Sequence, residues 1–183
     1  AAGASPAGGI AVDLAGSAAD RTAVNAAATA ALDGLTRTLG VAAPSRLTIR
    51  VASTLQQYEQ ATGRPWYTAG ATSGDVMTLV PLATLQARGI LDRTIRRELV
   101  RVLTGPSLAQ RPLWVQDGVA LFYSDPRPPA LIGADADRLP RDCPRDGELR
   151  APLSAGDLAD AYARAEACVA RQIFKGKGWR EVH

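Results

Sequence analysis

The chain is short of several residue types, and each shortage removes a class of function. Of 183 residues only one is histidine, His183 at the last position, so a metal site that needs two imidazoles has no source for them. The two cysteines, Cys143 and Cys168, lack the close-spaced pairs of structural zinc sites. In an exported protein they would form one bridge, worth about 3 kcal/mol from loop entropy; in a cytosolic one they are two unpaired small core residues. Lysine is confined to Lys175 and Lys177, so the high isoelectric point reflects arginine. A net charge of +3 spread along the chain is too small and too scattered to mark a nucleic-acid surface. Charged residues also interrupt every apolar run well short of the roughly 18 to 20 residues that a membrane span needs, so no transmembrane segment is expected.

What remains is ample for a core, since 46% of residues are hydrophobic. Residues 1–9, "AAGASPAGG", read as a flexible tail or linker, or as the new N-terminus left by a removed signal peptide, ahead of a single domain over 10–183. "GIAVDLAG" (9–16) suggests a strand. The alanine-rich run after it has Ser17 or Asp20 to cap a helix and Gly40 to end it. "SRLTIRVAS" (45–53) places Leu47, Ile49 and Val51 on one strand face, and a short helix or turn follows. Residues 65–81 hold two extended pieces in a hairpin-like edge, with the edge strand at about "DVMTLV". From Leu82 to Leu103 the period becomes helical, interrupted at Gly89, with Leu91, Ile95, Leu99, Val102 and Leu103 as the apolar stripe.

"GPSLAQRP" then reads as a loop and residues 113–125 as a shorter helix with Trp114 available for packing. The Pro- and Asp-rich stretch from Pro126 to Ser154 reads as a surface excursion, and residues 155–174 as a last helix capped near Ser154 or Asp157. Strands first and helices after them indicate an α+β fold: a small mixed sheet followed by a mainly helical C-terminal part.

Within "IRRELVRVL" (95–103), Arg97 and Arg101 stand four apart and so share one helix face, roughly opposite the apolar stripe, with Glu98 at its margin. Like charges so placed repel by a few tenths of a kcal/mol. Either they are solvated, with Glu98 supporting Arg101, or something nearby holds them.

Together, "RTIRRELVRVLTG" and "PLWVQDGVALFYSD" resemble the zinc-dependent peptidases of the gluzincin, or peptidase MA-like, type. That family carries HExxH on one helix and a glutamate, within a Trp-Leu-x-Glu-Gly-x-Ala stretch, on the next. The late "DAYARAEACVA" is similar as well, and the likeness spans most of residues 9–183. It implies an edge strand lying over a zincin-like active-site helix. In the motif, two imidazoles at i and i+4 hold zinc while the glutamate between them activates the metal-bound water. Here those five positions read Arg97, Glu98, Leu99, Val100 and Arg101, and the third-ligand position is Asp117, followed by the Gly118 that the motif calls for. Only the general-base position, Glu98, is kept. Arginine has no lone pair to donate, so neither Arg97 nor Arg101 can ligate zinc, and no metal or other cofactor is expected.

The resemblance thus implies a pseudo-peptidase whose guanidinium groups fill the former metal space and pair with Asp117 and Glu98, two charges of each sign. The function expected is a non-catalytic module that binds a protein or peptide partner. Its cleft would be bordered by Val76, Met77, Thr78 and Leu79 of the edge strand, to which an extended partner adds a strand. Tyr162 stands where a side chain either reaches such a cleft or packs in the core, and the alanine-rich helix favours packing. Two catalytic alternatives are a zinc-free hydrolase using Glu98 and Asp117 as a carboxylate pair and a residual metal-dependent peptidase. Neighbouring arginines favour ionised carboxylates, which disfavours a general acid. The N-terminal tail, the cysteine pair and the family's common setting point to secretion or the cell envelope of a bacterium, and the scarcity of lysine beside abundant Ala, Arg, Gly and Pro fits a GC-rich genome.

Overall fold

The computed structural model describes residues 9–125 and 141–183. Residues 1–8, most of the expected tail, and residues 126–140, half of the expected surface excursion, lie outside the described residues. The fold is α+β, with one four-stranded mixed sheet and a mainly helical C-terminal part. The backbone divides into two compact units, Ala1–Ile95 and Arg96–His183.

In the first unit, β1 (Gly9–Leu14) leads into α1 (Ala18–Leu39). The helix starts at Ser17 because its Oγ accepts from the Asp20 N–H at 3.0 Å while the Asp20 carboxylate accepts from the Ser17 N–H at 3.1 Å, a reciprocal capping box. It stops at Gly40, whose φ of 62° suits glycine and aims its N–H at the Thr36 carbonyl. Val24, Ala28, Ala31, Leu32, Leu35 and Leu39 form the buried stripe. β2 (Arg46–Val51) buries Leu47, Ile49 and Val51 as its alternation requires. α2 (Leu55–Thr62), a 3₁₀ turn at Trp66–Thr68, β3 (Gly70–Ser73), β4 (Val76–Leu79) and α3 (Leu82–Ala87) follow.

The strand order β1-β2-β4-β3 corrects the placing of the edge. β4 runs parallel to β2 on one side and antiparallel to β3 on the other, so both of its backbone edges are taken, and Met77 and Leu79 are fully buried. The strand of Val76, Met77, Thr78 and Leu79 is therefore internal and cannot receive an added strand; the outermost strand on that side is β3. A two-residue turn at Gly74 and Asp75, with φ 59° at Gly74, folds β3 back on the outside.

The central helix is divided as expected: Gly89, at φ 62°, separates α3 from α4 (Leu91–Leu108), which crosses from the first unit into the second. α4 runs five residues past the expected end at Leu103, through Gly105 and Pro106. Proline deletes one backbone bond, but Leu108 is buried in the last turn, and Thr104 Oγ bonds the Val100 carbonyl at 2.8 Å.

The second unit continues with α5 (Leu113–Ser124), α6 (Asp146–Arg150) and α7 (Ala155–Phe174), then a 3₁₀ turn at Trp179–Glu181 that buries Trp179. Ser154 caps α7, its Oγ accepting from the Asp157 N–H at 3.1 Å. α6 falls within the stretch expected to be surface excursion. It is only five residues long and is tied in by Asp146, which accepts from the Leu113 N–H at 2.9 Å.

Candidate functional site

The two arginines of α4 are held by carboxylates. Arg97 turns its guanidinium onto the neighbouring Glu98, with Nε and one terminal nitrogen each 2.8 Å from Oε1. Arg101 reaches the next helix and forms an ion pair with Asp117 of α5. The carboxylates are the covered partners, with side-chain exposures of 1% for Glu98 and 8% for Asp117, against 14% for Arg97 and 25% for Arg101. Glu98 lies in the core, not at the margin of the stripe. Carboxylates so far from water are tolerated only with charge-assisted hydrogen bonds, which the arginines supply.

Tyr162 of α7 joins the group, its ring 5.6 Å from the Arg97 guanidinium, close enough for a cation–π contact. Arg97, Glu98, Arg101, Asp117 and Tyr162 thus come together on three helices of one unit. Val76, Met77, Thr78 and Leu79 belong to the other unit. Alternation and helical spacing both overlooked Arg96, whose Nε donates to the Ser124 carbonyl at 3.0 Å and satisfies the C-terminal end of α5. An arginine 28 residues upstream of a helix end carries no local signal.

Gly118, next to Asp117, has a packing role. A Cβ there would fall 2.5 Å from the Ala165 carbonyl oxygen and 2.6 Å from a methyl of Val169, so α5 and α7 cross at backbone distance. The α7 residues at the crossing are small, with Ala161 and Ala165 fully buried.

Cys143 and Cys168 form a disulfide, with Cα atoms 5.9 Å apart, that ties the segment before α6 to α7. Beside it Arg164 gathers three carboxylates: Asp160 at 2.9 Å, Asp142 at 3.7 Å, and Glu148 in a direct hydrogen bond. The Arg145 backbone N–H, at 2.7 Å, and the Arg164 guanidinium hold the Glu148 carboxyl below the usual glutamate range.

The donor set at Arg97, Arg101 and Asp117 does not suit zinc. Two of its three groups are cations without a lone pair, and Asp117 already bonds one of them. Among the described residues, no three His, Cys, Asp or Glu side chains stand close enough to hold one ion. No family model, curated protein or solved structure matches the chain.

Proposed function

We propose that this chain is a non-catalytic domain on a metallopeptidase-like plan, acting as a protein- or peptide-binding module in the cell envelope. The observation that carries the reading is the ion pair between Arg101 and Asp117, with Arg97 closed onto Glu98 alongside it. In a zinc peptidase of this kind, the helix that carries Arg97 and Arg101 and the helix that carries Asp117 are joined by the metal. Here the Arg101–Asp117 pair joins them, with Arg97 and Glu98 paired within the first helix, and the four charges sum to the same value, zero. Glu98 stands where a general base would, but it is covered and bonded to an arginine, an arrangement suited to holding shape and not to moving protons. A disulfide supports an oxidising compartment, and no described helix is long and apolar enough to cross a membrane. An extended partner adding a strand beyond β4 would meet β3.

Reverting the three positions tests the reading. The triple variant Arg97→His, Arg101→His, Asp117→Glu is expected to bind about one zinc per chain, measured by metal analysis after dialysis. The unaltered chain is expected to retain none and to leave a casein substrate intact. Stoichiometric zinc or casein cleavage in the unaltered protein would overturn the non-catalytic reading. A folded triple variant that binds no zinc would overturn the metallopeptidase-like plan.

A further inference from the structure

The first unit carries a polar crevice at the carboxyl ends of its parallel strands. Asp13 of β1 is the register partner of Arg50 of β2, and Arg50 is the register partner of Thr78 of β4. These three residues alternate with the buried set, so they form one row on the face of the sheet opposite Ile49, Val51 and Leu79. Parallel strands usually have both faces covered by apolar packing; here this face keeps Asp13 and Arg50 exposed. Between the row, Ser53 and the small side chains of Ala52 and Ala61 lies a crevice of about 180 Å³. That is below the roughly 300 Å³ at which pockets for drug-sized ligands begin, so its size suits a smaller molecule. Crevices outside the carboxyl ends of parallel strands are where open α/β sheets take ligands.

We infer that this crevice binds a small zwitterion of the α-amino acid class. Among the described residues, the side chain of neither Asp13 nor Arg50 has a hydrogen-bond or ion-pair partner, although they stand on neighbouring strands about 4.8 Å apart. One cation and one anion at that spacing match the two charges of an amino acid. The Arg50 fork takes the α-carboxylate with two hydrogen bonds, and the Asp13 carboxylate takes the ammonium. The hydroxyls of Ser53 and Thr78 and the amide of Gln57, whose Oε1 accepts from the Ser53 N–H at 2.7 Å, are the remaining polar side chains that line the space, and the alanines leave room for a short side chain. A simple anion or a simple amine would satisfy only one member of the pair.

Titration of the 183-residue, disulfide-intact chain with glycine, L-alanine and L-serine, followed by amide chemical shifts, tests this. Saturable shifts confined to the ends of β1, β2 and β4 and the start of α2 are expected. Acetate and methylammonium should each bind at least about tenfold more weakly. Asp13→Asn and Arg50→Gln, both at exposed positions and so without effect on the fold, should each weaken amino-acid binding about tenfold. No saturable shift with any of the three up to about 20 mM would overturn the inference. Acetate binding as tightly as glycine, or unchanged affinity in either variant, would do so too.

Discussion

The two sides of α5 are held by opposite means. Asp117 faces α4 and meets Arg101 through charge, while Gly118, the next residue, faces α7 and meets the Ala165 backbone through the absence of a side chain. An ion pair whose carboxylate is covered gains little over an apolar pair of the same volume, because desolvation offsets most of the Coulomb attraction. Close-packed backbones leave no such freedom: every atom at the crossing has a neighbour, and added volume must push the helices apart. The contact with α4 thus fixes which groups meet, whereas the contact with α7 fixes how near two helices lie and carries more of the stability.

Breaking the packed side should have the largest effect. Gly118→Ala gains about 1 kcal/mol of helix propensity but puts a methyl against the Ala165 carbonyl, for a net loss of about 3 kcal/mol in urea unfolding. Gly118→Val should give no folded protein by circular dichroism. A fully stable Gly118→Ala variant would mean that the two helices separate easily, contrary to the comparison.

The covalent tie to α7 ranks second. Cys143 and Cys168 are 25 residues apart, and the Cys143→Ser, Cys168→Ser double variant should lose about 3 kcal/mol, measured beside the oxidised chain without reductant. The loss should appear as lowered global stability with helicity kept at neutral pH, since α7 has its own cap at Ser154.

On the charged side the size of the effect depends on what is left behind. Asp117→Ala strands Arg101, but that side chain is a quarter exposed and can turn to water, so about 2 kcal/mol is expected, not the 3 to 5 of a fully buried pair. Replacing both partners, Arg101→Met with Asp117→Leu, should restore stability to within about 0.5 kcal/mol of the starting chain. If the double replacement costs as much as the single one, the pair supplies net stability and the contrast between the two sides of α5 weakens.

Local chemistry was legible in the sequence and lateral order was not. Ser17, Gly40 and Ser154 mark helix ends because a cap is made within four residues. Alternation in 45–53 named the buried face of β2 for the same reason. Alternation gives faces but not neighbours, so it left β4 on the outside although the turn at Gly74 puts β3 there. Gly105 and Pro106 are breakers by propensity, yet the burial of Leu108 carries α4 past them. Arg101 and Asp117 could be linked only by setting two separate motifs side by side, since they stand 16 positions apart on different helices. The row of Asp13, Arg50 and Thr78 had no signal, because strand register alone assembles it.

The smallest expected effect sharpens the comparison from the Glu148–Arg164 contact between α6 and α7, where charge acts in the open. The Glu148 carboxylate is held ionised by the Arg145 N–H and the Arg164 guanidinium, so its folded pKa lies below its unfolded one, about 4.3. A depressed carboxylate contributes stability that is fully present above the unfolded value and is lost as pH falls through the folded value. Urea midpoints of the unaltered chain and of Glu148→Gln should therefore differ most near neutral pH and converge as pH drops below about 4. Because Arg164 and its carboxylates stand near solvent, about 0.5 M salt should shrink that difference. The same salt should leave the penalty of Asp117→Ala nearly unchanged, since Asp117 is covered. Equal salt sensitivity at the two sites would mean that the ion pair between α4 and α5 is a surface contact after all, and that α5 is positioned without it, chiefly by its packing against α7.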